Sequence, residues 1–213
     1  MQRQEKDLQL NEQDLLRRVE KQHPHLIMLY LGIVSVVTIF SFLLLLLAIT
    51  PLPLTETGNA AASFRYPWQF AISALFIVLS SVAIEKARTS FLQDDFKKMA
   101  IYLNATNILG GIFALFQVMG WLHLYQTGTQ LSGHASGAYL YIISGLHLAH
   151  LLAGALYLAY YTFQIYQKGK DPVQVLIAVT NPYEHLKLKM VRTYWHFLGG
   201  LWVVLAIMLY ILI

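Results

Sequence analysis

The sequence predicts an all-α, polytopic membrane protein with five transmembrane helices. Three observations predict it. Of 213 residues, 57% are hydrophobic and only 12% are charged, about half the roughly 25% charge of an average soluble domain, so a soluble fold could not cover its own surface. Five long apolar stretches separate the charges, each near the ~20 residues that a helix needs to cross a bilayer with its backbone groups satisfied internally. The basic residues, finally, are segregated to alternate connections between those stretches.

The predicted spans run over residues 26–49, 66–84, 99–122, 137–165 and 191–213. The first carries no charge, and the second opens near Trp68. All are too continuously apolar for strands of an outer-membrane barrel, which alternate with a period of two. Of the 15 Lys and Arg, all but Arg65 fall in segment 1–25, in the loop after the second span (Lys86, Arg88, Lys97, Lys98) or in the loop after the fourth (Lys168, Lys170, Lys187, Lys189, Arg192). Basic loops stay on the cytoplasmic side, which predicts a cytoplasmic N-terminus and, with an odd helix count, a periplasmic C-terminus. Segment 1–25 is mixed in charge and lacks an apolar core, so it does not read as a cleavable signal. Leu8, Leu15, Leu16 and Val19 approximate a helical stripe; an interfacial helix and a flexible tail are both open readings, and the segment could dock a partner. The outer loops are short and carry turn residues, as in Pro51-Leu52-Pro53, Thr57-Gly58-Asn59 and Thr127-Gly128.

Composition also excludes chemistry. With no cysteine, the chain forms no disulfide, thiolate-bound zinc, iron–sulfur cluster, Cys-attached haem or Cys-bridged copper centre. The net charge of +4 is too small to point to nucleic acid. Glu85, at the end of the second span, is the acid nearest to any midplane. A carboxylate at the bilayer centre costs about 2.5–3.5 kcal/mol on insertion scales and is kept when transport uses it. A free-standing transporter or channel would also show a broken helix or an inverted repeat, and the sequence displays neither.

Within the spans, Gly145, Ala149 and Ala153 repeat every four residues and predict a smooth packing face. Asn104, Asn107 and Gln117 are expected near one side of the third span, hydrogen-bonded to neighbouring helices. His147 and His150, three apart on one helical face, lie deep in the fourth span, and His196 opens the fifth within Tyr194-Trp195-His196-Phe197. Three readings of these imidazoles stand: hydrogen bonds to helices or lipid, a proton relay, or ligation of b-type haem or a metal. Counted from the basic ends of their spans, His150 lies about 15 residues in and His196 about five, a mismatch near 15 Å at ~1.5 Å per residue, which argues against a shared haem.

At these residues the sequence resembles a family. Ser144-Gly145-Leu146-His147-Leu148-Ala149-His150 with Gly154 is similar to the Gly-x-His-x-x-His-x-x-x-Gly motif of haem-copper (cytochrome c or quinol) oxidase subunit III. Tyr194-Trp195-His196-Phe197 with Trp202 resembles the last helix of that family, Ser80-Ser81 with Ala87 the end of its fourth, and Gly110 with Gln117 its fifth. The resemblance extends over about residues 70–213 and implies the bacterial five-helix form, which lacks the first two of seven helices. It implies a subunit with no redox cofactor of its own. Such a subunit flanks subunit I, joins a proton-pumping complex that reduces oxygen to water in the bacterial inner membrane, holds structural phospholipid and sustains turnover. Haem and copper lie in partner subunits, subunit II among them, and membership of a larger respiratory supercomplex is left open. The resemblance assigns lipid or subunit contacts to His147, His150, His196, Tyr194, Trp195, Trp202, Gly145, Gly154 and Gln117, with no catalytic, cofactor or metal residue. Three acids common in the family are replaced here by Val36, Gly120 and Gly199, which puts a proton-gathering role in doubt. The alternatives are the related subunit of a quinol oxidase or nitric-oxide reductase, a b-haem membrane anchor, and a transporter.

Overall fold

In the computed structural model of the chain, residues 24–50, 67–126 and 135–212 are described. Every regular element among them is a helix: α1 (Pro24–Ile49), α2 (Trp68–Leu92), α3 (Phe96–Gln126), α4 (Ala135–Lys168), α5 (Pro172–Thr180) and α6 (Pro182–Leu212). Five of them, all but α5, are long and apolar enough to cross a membrane. The predicted helical stretch before residue 24, the turns at residues 51–53, 57–59 and 127–128, and Arg65 fall outside the described residues.

The five spans stand where the sequence places them, but all are longer, four of them by five residues or more. α2 runs eight residues past the predicted end at residue 84, through Glu85, Lys86 and Arg88, and α6 starts at Pro182 instead of residue 191. Hydropathy measures the apolar core, whereas a helix continues into the interface until a backbone signal stops it. At ~1.5 Å per residue, the 31 residues of α3 and α6 and the 34 of α4 exceed the roughly 30 Å hydrocarbon thickness. Their charged ends therefore project beyond it.

The stop signals are local. α2 ends in a left-handed turn: Asp94 has φ 59°, Asp94 N–H donates to the Phe91 carbonyl (3.1 Å) and Asp95 N–H to that of Ser90 (3.0 Å), the paired bonds of a Schellman closure. Asp95 then caps α3 by accepting from the Lys98 N–H (2.9 Å). The nine-residue α5 was expected to be loop. It is set by Asp171, whose carboxylate accepts from the Val173 N–H (2.9 Å), followed by Pro172 in the first turn. α6 repeats the device with Asn181 accepting from the Tyr183 N–H (2.9 Å) ahead of Pro182.

Two compact units divide the chain within α1, residues 1–38 and 39–213. The described part of the first is the leading half of α1, uncharged, with Met28, Leu31 and Val34 largely exposed. In the second unit α2 and α3 pair closely, and α4 and α6 complete the bundle. Its core is apolar and aromatic: Phe70, Ile77, Ile84, Leu103, Phe113, Trp195 and Trp202 are all buried. A Cβ on Gly120 would collide with the Phe70 ring, and one on Gly154 would come within 2.7 Å of Tyr194 Cε1, so both glycines permit close helix approach.

Candidate functional site

The buried polar side chains of the second unit form an interhelical network centred on α6. His147 of α4 is buried, and its Nε2 lies 3.1 Å from the Leu198 carbonyl of α6. An aromatic cage surrounds the ring, with centroids of Trp202 at 4.9 Å, Phe113 at 5.7 Å and Phe40 at 6.5 Å. The backbone carbonyl needs the bond to be with a protonated nitrogen, so Nε2 carries the hydrogen and Nδ1 is an acceptor. Within this cage Nδ1 and the Trp202 Nε1 remain unbonded. Trp195 donates from Nε1 to Ser80 Oγ of α2 (2.8 Å), and Ser80 in turn donates to the Ile77 carbonyl (2.7 Å). Tyr194, one residue earlier on α6, donates to the His150 carbonyl of α4 (3.2 Å) and fills the space left by Gly154.

Gln117 joins α3 to α2 by donating from Nε2 to Ser73 Oγ (2.8 Å). Trp121, which sequence reasoning did not single out, donates from Nε1 to Ser144 Oγ (2.9 Å) and joins α3 to α4. A serine in an apolar span is a weak signal by itself, because it can bond its own helix; Ser73, Ser80 and Ser144 do that and also accept from a neighbour.

At the Lys-rich end the links run through carboxylates. His196 Nε2 lies 2.7 Å from Glu85 Oε1, and Arg192 Nη1 lies 3.4 Å from Oε2 of the same carboxylate, tying α6 to α2. Glu184, only 4% exposed, meets Lys168 of α4 at 2.7 Å and Lys187 at 3.2 Å. The Glu184 pair was missed because residues 182–190 were assigned to a loop; once they are helical, Glu184 and Lys187 share a face. Asp95, between α2 and α3, is held below the usual carboxylate range by the Lys98 backbone N–H and then by the Lys98 ammonium.

Several site expectations need correction. Asn104, Asn107 and Gln117 do not share one side: Gln117 turns to α2, Asn107 reaches Thr162 of α4 at 3.5 Å, and Asn104 is exposed. At about 100° per residue, the thirteen residues from Asn104 to Gln117 turn those two to nearly opposite faces, with Asn107 between them. The Gly145–Ala149–Ala153 face is not the packing face within the bundle. Ala149 and Ala153 are exposed, and the buried stripe of α4 is His147, Leu151, Gly154, Leu158 and Tyr161. The 15 Å depth mismatch between His150 and His196 also disappears. Antiparallel contacts pair His147 with Leu198 and Gly154 with Tyr194, so His150 and His196 lie at similar depth; the error came from starting α6 nine residues late. Their rings have different partners, His196 on Glu85 and His150 with Nδ1 2.7 Å from the Leu146 carbonyl of its own helix. Among the described residues, no three His, Asp or Glu side chains gather in a metal-ligand arrangement.

Two positions at which the resemblance expects acids are packed out. Phe70 occupies the space beside Gly120, and Ser81 Oγ would lie 3.2 Å from a Cβ on Gly199, with Ile77 behind it. The third, Val36, lies on the leading half of α1.

A groove opens at the Lys-rich end between α3, the last turns of α4 and the start of α5. It encloses about 1240 Å³ and is lined by Asp94, Lys97, Ile101, Asn104, Phe163 and Lys170 among others.

These features define a multi-pass α-helical membrane protein whose buried polar groups bond helix to helix. Within that class the chain resembles subunit III of the haem-copper oxidases. It is 26% identical over 152 residues to cytochrome c oxidase subunit 3 of Corynebacterium diphtheriae, covering 71% of this chain and 69% of that protein. It is 27% identical over 146 residues to the cytochrome bo(3) ubiquinol oxidase subunit 3 of Pseudomonas putida, covering 67% and 64%. It is 27% identical over 145 residues to cytochrome c oxidase subunit 3 of Myxine glutinosa, covering 68% of this chain and about half (51%) of that protein. No protein-family model matches.

Proposed function

We propose that the chain is the non-catalytic subunit III of a respiratory haem-copper terminal oxidase in a bacterial inner membrane, with its N-terminus in the cytoplasm. It covers subunit I within a complex that also contains subunit II, retains phospholipid, and sustains turnover while oxygen is reduced to water elsewhere in the assembly. The resemblance to oxidase subunits III over about 70% of the chain is the observation that carries this reading. The internal geometry supports it. His147, Trp195, Tyr194 and Gln117 each bond a neighbouring helix, which is the work of a rigid cover. Apolar side chains exposed along the spans, such as Leu115, Leu156 and Tyr210, leave area for lipid and subunit I. The space beside Gly120 and Gly199 is filled by neighbours, so we assign this subunit packing and lipid retention and not a relay through acids at those positions.

A quinol-fed complex is the second reading, favoured by the similarity to ubiquinol and probable quinol oxidase subunits 3. The donor acts on partner subunits, and the optical spectrum of the purified complex separates the two. The general test is purification in mild detergent of everything bound to the full chain. The expected companion is a large haem-bearing subunit. His150→Leu should leave the haem content of that complex unchanged and shorten its active lifetime. Complete haem loss with subunit I still present would overturn the assignment.

A further inference from the structure

Two levels of the bundle repeat the same three positions, and only one of them closes on itself. At the first, a Cβ on Gly110 of α3 would come within 3.0 Å of the Trp195 ring of α6, and Trp195 Nε1 donates to Ser80 Oγ of α2 (2.8 Å). α3 and α6 run in one direction and α2 against them. Seven residues on from Gly110 and Trp195, and seven back from Ser80, stand Gln117, Trp202 and Ser73. Seven steps of about 100° return a side chain to within about 20° of its starting face. The contacts agree: the Trp202 ring meets Phe70 of α2 edge-on at 5.9 Å and Phe113 of α3 at 5.4 Å, and Gln117, one turn from Phe113, donates from Nε2 to Ser73 Oγ (2.8 Å). The bonding nevertheless differs. The Ser73 hydroxyl donates to the Phe70 carbonyl (2.7 Å), so its oxygen accepts, and it accepts from the Gln117 amide where Ser80 accepts from an indole. With the amide nitrogen held on Ser73, Gln117 Oε1 turns away. Trp202 Nε1 and Gln117 Oε1 are then one donor and one acceptor on fully buried side chains, with no partner among the described residues.

We infer that a single water molecule binds between these two atoms, accepting from Trp202 Nε1 and donating to Gln117 Oε1. The chemistry selects the ligand. A cation would face the indole N–H, an anion would face the amide oxygen, and either would be buried without a counter-charge. Water is neutral and offers a lone pair to one atom and a hydrogen to the other. Buried waters bind where protein polar groups lack partners, and two to four bonds hold them. Two bonds near 2.8 Å, meeting at a tetrahedral angle, set Nε1 and Oε1 about 4.6 Å apart. His147 is a bystander to this site. Its ring lies against the face of the indole, with centroids 4.9 Å apart and planes 35° apart, whereas the N–H leaves through the edge of the ring. The water does for Trp202 what Ser80 does for Trp195, and it adds a link between α3 and α6.

The inference goes beyond the oxidase reading and does not depend on it, because the site lies wholly inside this bundle. The test is electron cryomicroscopy of the full chain in its purified complex, at a resolution that shows ordered water. One rounded peak is expected about 2.8 Å from both Trp202 Nε1 and Gln117 Oε1. A direct contact between the two atoms, or no peak between them, overturns the site. Trp202→Phe removes the donor and should lose the peak. His147→Leu leaves both partners in place and should keep it. A peak that survives the first substitution, or disappears in the second, overturns the choice of partners. A measurement without density checks the bridge independently. Gln117→Leu should lower the temperature at which heat releases the chain from its complex, and that drop should shrink by about half or more in a Trp202→Phe background. Equal drops in the two backgrounds mean that the side chains act separately, and the bridge is then wrong. Where Trp202→Phe fails to assemble, the peak in the parent complex decides.

Discussion

Replacing His147 separates a packing imidazole from a working one. In His147→Leu the Nε2 bond to Leu198 is lost, which is worth about 0.5–1.5 kcal/mol in general and averages nearer 0.6 kcal/mol between membrane helices. The Leu198 carbonyl is not orphaned, because it lies inside α6 and keeps the helical bond from the Trp202 N–H. The substitution also removes Nδ1, a buried acceptor without a partner, whose desolvation costs about 1–3 kcal/mol. These terms nearly cancel, and the leucine still fills the cage of Phe40, Phe113 and Trp202. The stability of His147→Leu should therefore fall within about 1 kcal/mol of the parent. His147→Ala loses the same bond and also opens a cavity beneath Trp202, and should cost about 2–4 kcal/mol. The assay is heat- or SDS-induced release of the chain from its purified complex, followed on native gels. If His147→Leu were destabilised as much as His147→Ala, the polarity of the ring would matter, and the packing account of this residue would be wrong.

Gly154→Ala places a methyl 2.7 Å from Tyr194 Cε1 and should cost about 1–3 kcal/mol by overpacking; the same denaturation assay with Tyr194→Ala in the background, which removes the ring, shows whether the ring is the obstacle. Glu184→Ala leaves Lys168 and Lys187 facing each other without their shared carboxylate. With those lysines 26% and 19% exposed, the cost should be about 2 kcal/mol, below the 3–5 kcal/mol of a fully buried broken pair. Gln117→Leu and Ser73→Ala should show a coupling near 0.6 kcal/mol in a double-mutant cycle, the average for such membrane pairs. For Asp95, whose folded pKa is depressed by the Lys98 N–H and ammonium, the cap's contribution is complete above the unfolded value of about 3.9 and is lost as pH falls through the lower folded value. Protection of the Lys98 amide from hydrogen exchange should persist at pH 5 and vanish in stronger acid.

Hydropathy made the five spans legible because each is a continuous apolar run, whereas helix ends are set by single residues. Asp94 in a left-handed turn, Asp95, Asp171 and Asn181 decide where α2 stops and where α3, α5 and α6 start. None of these residues alters a window average. Among the site residues, the resemblance singled out His147, Trp195 and Trp202 as lipid or subunit contacts, and their burial inside this chain was not legible from it; nor were the partners of His147 and Trp195, because the Leu198 carbonyl is a group that any helix carries and Ser80 is one serine among several. The misreading of Gly145, Ala149 and Ala153 has a different cause. Small residues at four-residue spacing show where a helix can be approached closely, and the sequence does not distinguish an approach from within the chain from one by lipid or a partner.

The Tyr194–Phe197 run shows why a motif that looks like a ligand set can be a clamp. Successive residues of an α-helix turn by about 100°, so adjacent side chains cannot converge on one atom from one helix. They diverge instead, and here each direction meets a neighbour. Tyr194 faces α4 and closes on the His150 carbonyl, Trp195 faces α2 and closes on Ser80, and His196 meets Glu85 further along α2. One turn on, the Leu198 carbonyl receives His147 while Gly199 lets Ser81 approach. Within six residues α6 is therefore fixed to both of its neighbours, through one imidazole that it offers and one that it receives. An acid at residue 199 would have to displace Ser81 and Ile77 from this clamp. Gly199→Asp should therefore cost stability before it could add any proton affinity, whereas Gly200→Asp, with nothing within 4 Å of its Cβ, avoids that clash. If both variants proved equally stable in the complex, the clamp would have slack, and the missing acid at residue 199 would need an explanation other than space.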